Sequence, residues 1–374
     1  MRKVVKKIFY FIIGLVPKNK NKIVLESHPD FTDSAKVIYD YLINHGKRNY
    51  KFIWLVDNPK KYAKLKLKNT KFINVYKPVS LRYIYHIITS KYLMFGNREI
   101  RWVDLNKQIV ISLTHGIPIK SCKGMFPKTE TFNYLLATSK NVIPIIANEY
   151  CASEEKCFIA DLPRNDLLFQ NNNQVEELLK DYRKVIVWLP TYKKHKNANI
   201  TDIDRDSLIP LLNEEELNKL NKQLLKNNSL LILKFHPAED VSKLKSQEYD
   251  NIRILTQEEF NKLDIHLYSL LAYTDALITD YSSVSLDYIL LDRPIGYVLD
   301  DVKEYKDKRG FCVNNIEDVI AGCQIKSSRD LFAFIDEICK NIDNYKAKRT
   351  KVLDFYHDYK DKNICEIIAK KFDL

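Results

Sequence analysis

The feature that most constrains this chain is a steady alternation of short apolar runs with amphipathic helical patterns. Residues 22–25, 51–56, 72–75, 92–95 and 108–113 are runs of the kind that form buried strands, and helical periodicity fills residues 34–44 and 81–89. Strand, helix, strand, repeated this way, predicts a parallel sheet covered on both faces. The polar stretch QNNNQ at residues 170–174 reads as a junction, after which the rhythm restarts. Strands are expected at 185–189, 230–235, 252–255 and 276–279, helices at 214–225 and 265–273, and closing helices at 331–342, 344–359 and 363–372. With 374 residues to place, the order predicts an α/β protein of two doubly wound, Rossmann-like halves facing a central cleft. The expected boundaries are residues 21–175, residues 176–345, and terminal helices at 346–374 that pack back on the first half.

Residues 1–16, MRKVVKKIFYFIIGLV, place four cations beside an apolar run that begins at Ile8. A bilayer span needs about 20 apolar residues, so this run is too short to cross. No small-residue cleavage site follows it, which leaves two readings of residues 1–20, an apolar first helix packed on the protein or a helix lying in a membrane interface, with the flanking cations and aromatics pointing to the second. The formal net charge of +12 suits an anionic membrane or a polymer of repeated phosphates. Seven cysteines without a C-x-x-C pair suit a reducing cytoplasm and make no metal cluster.

Chemistry-bearing residues stand at the ends of the apolar runs, the edge where open α/β sheets bind ligands. Thr114-His115-Gly116 and Lys120 follow run 108–113; an imidazole there can take a proton from a hydroxyl near neutral pH. Lys234-Phe235-His236-Pro237 repeats the arrangement in the second half, and Pro190-Thr191-Tyr192-Lys193 offers a hydroxyl and a cation. Arg164 of Pro163-Arg164-Asn165-Asp166 supplies a planar fork suited to phosphate. In residues 276–297 a strand runs into Asp280, then Ser282-Ser283 as hydroxyl caps, then a helix with Val284, Tyr288 and Leu291 on one apolar face. Neither a G-x-x-x-x-G-K-[ST] loop nor a G-x-G-x-x-G fingerprint is present among the eight glycines. Phosphate would be held by helix N-termini and cationic side chains.

These residues carry a resemblance. His115-Gly116-x-x-x-Lys120, Pro163-Arg164-x-Asp166, Pro190-Thr191, His236-Pro237 and Asp280-Tyr281-Ser282-Ser283, followed by Asp287 and Arg293-Pro294, resemble in this order the CDP-glycerol glycerophosphotransferase family, which makes teichoic acids and related capsule polymers. The resemblance spans residues 22–310. It implies a GT-B fold and transfer of a polyol phosphate from CDP-glycerol, or another CDP-polyol, with release of CMP. The implied acceptor is a hydroxyl on a lipid-linked polymer at the cytoplasmic face of a bacterial membrane. It also implies His115 as acceptor base, His236 beside the donor phosphates, and Ser282 and Ser283 as a phosphate-binding turn. Lys234, Arg164, Thr191, Lys193 and Arg309 join the donor side, with Gly116, Lys120, Asp166, Asp280 and Asp287 in support. Asp280 reads as a turn-former, and Asp287 as either a brace for that turn or a ligand for a polyol or ribose hydroxyl.

Three positions depart from the family pattern. Asp161 stands where a glycine precedes Pro-Arg, Lys193 replaces an arginine, and Ile320-Ala321-Gly322-Cys323 occupies the region of an expected Pro-Gly-Pro. No tightly bound cofactor and no metal site is expected, although a donor-bound Mg²⁺ stays open. Two other readings stand beside this one: a GT-B glycosyltransferase using a nucleotide sugar, and a non-catalytic protein that binds polyanions at a membrane. Nucleic acid is not an expected partner. The polyol, the acceptor, the oligomeric state and the choice between primase and polymerase are not set by these residues.

Overall fold

The computed structural model describes residues 11–121, 131–190, 209–235, 249–299, 302–308, 310–313, 315–361 and 363–374, without the side chains of residues 304 and 308. The chain divides into two compact units, one of residues 1–117, 123–166 and 357–374, the other of residues 118–122 and 167–356.

The first unit carries β1 (Asn19–Glu26), β2 (Lys51–Val56), β3 (Thr70–Asn74), β4 (Ser90–Phe95), β5 (Ile109–Ser112), β6 (Tyr134–Ala137) and β7 (Cys157–Ile159). They lie in the order β3-β2-β1-β4-β5-β6-β7, and every pairing is parallel. The carboxyl halves of β1, β2 and β4 are buried on both faces, as continuous apolar runs require. Phe31 packs its ring edge-on against Trp54, Tyr39, Tyr62 and Phe72, closing the core beside β2.

The second unit carries β8 (Lys184–Trp188), β9 (Ser229–Lys234), β10 (Ile252–Leu255), β11 (Ala276–Thr279), β12 (Ile295–Val298) and β13 (Cys323–Ile325). Their order is β10-β9-β8-β11-β12-β13, again all parallel. Trp188, Leu231 and Leu233 pack with Leu220 of helix Glu214–Lys226 and with Phe334 and Ile335 of helix Ser328–Cys339. Gly322 stands where a Cβ would lie 1.9 Å from the carbonyl oxygen of Ile295, so the chain entering β13 passes against β12 only without a side chain.

Each sheet reverses its strand order once, between β1 and β4 and between β8 and β11. Such switch points open a crevice at the carboxyl edge of the sheet.

The polar stretch expected as a junction at 170–174 lies just past the division of the chain at residues 166 and 167 and leads into helix Asn173–Leu179, capped by the Asn172 side chain on the Val175 N–H. Two local expectations are corrected. The long helix expected at 344–359 ends at Tyr356. Helix Lys346–Tyr356 is held in the second unit by fully buried Arg349, which binds Asp292 and Asp343. From His357 the chain belongs to the first unit. The helix after Ser283 spans Val284–Tyr288 and continues as a 3-10 turn to Leu291; it is buried all round, Ser285 and Asp287 included, where one apolar face was expected.

Candidate active site

The first unit builds a compact polar set at the end of β5. Beyond the strand, Thr114 takes φ +57° and Gly116 φ +137°. A β-branched residue in the left-handed region is a costly conformation, of the kind that surrounding structure holds in place at functional sites. The two turns leave Thr114 buried and put the His115 side chain 57% in solvent. Its Nδ1 lies 3.2 Å from Oδ2 of Asp33, which opens helix Asp33–His45, also at positive φ. Asp33 in turn accepts from Arg164 Nη1, at 3.0 Å on Oδ1 and 3.2 Å on Oδ2, and from the Ser34 N–H at 2.8 Å. Arg164 Nη1 also donates to the carbonyl of His115 at 3.1 Å.

Burial alone would raise the Asp33 carboxyl, but the Arg164 guanidinium and His115 hold it well below the usual carboxylate range. An ionised carboxylate only accepts, so the proton of a neutral His115 sits on Nδ1 and the lone pair on Nε2. The arrangement orients an exposed imidazole as a proton acceptor. Asp33 lacks a strand-end motif and escaped the reading of the sequence. Its one local signal was its place at the start of a helix.

Arg164 was expected to grip phosphate. Its side chain is 6% exposed, and its Nη1 is engaged by both carboxylate oxygens of Asp33. The turn that presents it is unusual. Asp161, in the place of the family glycine, has φ +61°, the conformation that favours glycine. Its carboxylate offsets the strain by accepting from the Leu162 N–H at 2.6 Å, Asn165 Nδ2 at 2.8 Å and His357 Nδ1 at 2.6 Å. Asp166, three residues further on than Pro163, accepts the N–H groups of Ile364 and Cys365 at 2.7 and 2.9 Å. It therefore caps helix Ile364–Phe372 from a buried position.

Beside His115, at the β1/β4 switch point, a cavity of about 580 Å³ is lined by Tyr76, Asn97, Arg98, Arg101, Tyr150 and His115 among others. Arg98 binds Asp57 at 2.7 Å, Tyr76 Oη at 3.1 Å and His28 Nδ1 at 3.0 Å. Glu26, fully buried at the end of β1, accepts the N–H groups of Asn97 and Arg98 at 3.1 and 3.0 Å. Burial raises its carboxyl above the usual range against those hydrogen bonds.

In the second unit, Ser282 and Ser283 follow β11 at its switch point and are partly exposed. The expected hydroxyl cap is not made: the Ser283 side chain bonds no helix N–H. Asp287 lies fully buried one turn below and accepts from the Tyr268 hydroxyl. Lys234 ends β9 with its ammonium 3.0 Å from Gln257 Oε1 and 5.1 Å from the Phe260 ring centre, and burial pushes it down to about 8. Lys120 also belongs to this unit, its backbone bridged to Phe311 and its ammonium over the Tyr305 ring. Buried Asp280 ends the strand. His236, Thr191, Lys193 and Arg309 lie outside the described residues.

Known proteins place this architecture. A teichoic acid poly(glycerol phosphate) polymerase of Bacillus spizizenii is 28% identical, over 94% of this chain and 91% of its own length. Another so named, from Staphylococcus epidermidis, is 26% identical over 90% of this chain but 47% of its own, so the chain spans about half of that relative. The solved structure of the wall teichoic acid polymerase TagF superposes with a TM-score of 0.72 at 22% identity, covering 100% of this chain and 95% of that one, and so shares its fold. The model of one family, described as CDP-Glycerol:Poly(glycerophosphate) glycerophosphotransferase, matches residues 8–371, and to that family this chain belongs.

Proposed function

We propose that this protein transfers glycerol phosphate, or a related polyol phosphate, from a CDP-activated donor to a hydroxyl of a membrane-linked polymer. The observation that carries the reading is the His115–Asp33–Arg164 set at a strand end, in a chain matched almost throughout by a glycerophosphotransferase family. The acceptor oxygen attacks the phosphorus that bears the glycerol, the bond from that phosphorus to the bridging oxygen breaks, and CMP leaves with the electron pair. His115 Nε2 takes the acceptor's proton, while Asp33 holds Nδ1–H and offsets the charge of the imidazolium. Arg164 fixes Asp33 and the His115 carbonyl together, so it positions the base without touching substrate.

On the donor side, Ser282, Ser283, Lys234 and His236 hold the pyrophosphate, with Thr191, Lys193 and Arg309 beside them. Ser282, Ser283, His236, Thr191 and Arg309 follow the family motif, whereas Lys193 stands where the family has an arginine and Lys234 is included for its place at the end of β9. CMP is an anionic leaving group, so neutralising its charge matters more than protonating it. Lys234, held near 8 by burial, gains protonation when a phosphate arrives.

Attachment to the cytoplasmic face of the membrane belongs to the same reading. No helix among the described residues is long and apolar enough to cross a membrane. Phe11, Ile12 and Leu15 are exposed while Ile13 is buried, and Leu81 and Tyr85 of helix Leu81–Ile88 are exposed as well. Lys18 ties the two segments, donating to the carbonyls of Ile13 and Ile88 at 2.8 and 2.9 Å. Exposed apolar side chains on a chain of net charge +12 suit an anionic bilayer surface.

The test is CMP release from CDP-glycerol, followed across a panel of CDP-polyols and UDP-sugars with a lipid-linked acceptor. His115→Ala should lower turnover at least tenfold, toward the roughly 10²–10⁴ of a general base, while CDP-glycerol still binds. UDP release from a UDP-sugar in place of CMP release would overturn the reading in favour of glycosyl transfer.

A further inference from the structure

We infer that the amino edge of the first sheet carries a phosphate-binding site, built by Lys22, Lys51, Lys71 and Arg82 and separate from the groups at the carboxyl edge.

Strand register sets the cations side by side. Lys22 of β1 is the direct partner of Lys51 of β2, which puts their Cα atoms about 5 Å apart with both side chains on one face. Lys71 of β3 pairs with Ile53, two residues after Lys51, so Lys71 emerges on the same face. Helix Leu81–Ile88 packs on that face. Lys22 Nζ donates to Thr89 Oγ1 at 2.6 Å, just past the helix, and sits 4.5 Å from the centre of the Tyr85 ring. Arg82, in the first turn of the helix, acts on His86 together with Lys22 and Lys71. Lys51, Lys71 and Arg82 are exposed, whereas Lys22 is buried.

No acid balances the set. Among the described residues, Lys22, Lys51, Lys71 and Arg82 join no ion pair. The charges that reach Lys22 are those of Lys71 and Lys51. Burial, with Lys22, Lys71 and Arg82 nearby, pushes His86 down to about 4, so the imidazole stays neutral. Other deeply buried cations of this unit are matched: Lys18 lies 3.5 Å from Asp104 and Arg164 lies 3.0 Å from Asp33. A buried ammonium beside two like charges is costly to hold, and a bound anion offsets that cost. A phosphate group fits, because it brings up to two negative charges and three acceptor oxygens to one place. Lys51, Lys71 and Arg82 donate to those oxygens, and Lys22 adds its charge from the buried side. Two carriers present this chemistry, a soluble glycerol phosphate and a lipid headgroup.

The experiment titrates the full chain with glycerol 3-phosphate while saturating CMP occupies the donor side. In parallel it sediments the chain with vesicles of phosphatidylglycerol in phosphatidylcholine. Lys51→Ala combined with Lys71→Ala should weaken binding to one or both carriers tenfold or more, and Lys22→Met about threefold or more, with kcat for CMP release from CDP-glycerol within about twofold. Lys60→Ala combined with Lys61→Ala removes the same charge at the opposite edge of the sheet, after β2, and should change binding less than twofold. Loss with glycerol 3-phosphate supports the site with a soluble phosphate as its ligand, and loss with vesicles alone supports it with a headgroup. An equal loss in the Lys60 and Lys61 variant reduces the effect to net charge and overturns the inference. It is also overturned if neither carrier binds, or if binding is lost with Ser282→Ala and Ser283→Ala but kept without Lys51 and Lys71. CMP release reports on glycerophosphoryl transfer independently, so that reading stands or falls separately.

Discussion

The pair Asp161–His357 offers a quantitative test of how this chain supports its candidate base. Both side chains are essentially excluded from solvent, 1% and 0% exposed, and their polar atoms are 2.6 Å apart. Removing one partner of such a pair leaves a buried polar group uncompensated and costs about 3–5 kcal/mol. His357→Ala should therefore destabilise the first unit by about 3–4 kcal/mol, a fall of roughly 6–16 °C in its unfolding temperature for a unit of this size. Asp161→Gly should cost less, about 2–3 kcal/mol, because glycine relieves about 1 kcal/mol of strain at φ +61°. The double variant should lose little more than His357→Ala alone, a coupling of at least 2 kcal/mol. Urea unfolding of the four proteins, with the m-value checked for constancy, measures it. The same turn carries Arg164, so His357→Ala should also lower kcat for CMP release more than it alters the KM for CDP-glycerol. Additivity within about 0.5 kcal/mol, or a loss confined to donor KM, would refute the argument that this pair sets the Arg164 turn.

Other expectations follow from single groups. Asp33→Asn keeps the contact to His115 but loses the charge, and kcat should fall about 10–100-fold with donor binding retained; the same activity in both proteins would remove Asp33 from the mechanism. Asp33 also stabilises the fold at neutral pH, because its folded carboxyl lies below the unfolded value near 4. That contribution disappears as pH falls below about 4, so acid unfolding followed by circular dichroism should be less steep in Asp33→Asn. Lys22 behaves in the opposite sense: burial, with Lys71 and Lys51 nearby, pushes its ammonium down to about 8. Between pH 8 and about 10.5 the unfolded chain holds the extra proton, so stability rises with pH across that window. Lys22→Met should raise the unfolding temperature at pH 7, by the equivalent of about 2 kcal/mol, and the gain should shrink toward pH 10. Ser282→Ala with Ser283→Ala should raise the KM for CDP-glycerol about tenfold or more while leaving the unfolding temperature unchanged, since Ser283 caps no helix N–H.

What the sequence made legible was the part dictated by local patterning. Strands such as β2 and β9 are long apolar runs, and a run of that kind has no stable place except inside a parallel sheet. His115 was legible for the same reason: a histidine followed by glycine directly after such a run has to emerge at the ligand edge. β7 and β13 are only three residues long, too short for any period to show, and they exist because neighbours supply the pairing. Asp33 and Arg164 were illegible as a pair because 131 residues separate them; only the folding of the first unit brings them to one imidazole. Asp161 is the instructive case. By sequence it reads as a lost glycine, a defect beside a motif. In the fold the defect is compensated by His357, from a segment 196 residues away, so the two positions act as one substitution. Asp287 shows the converse. Its place one turn after Ser283 was legible, but the choice between ligand and brace depended on burial. The residue is wholly excluded from solvent and its carboxylate is bonded by the Tyr268 hydroxyl, a setting that suits a brace better than a ligand.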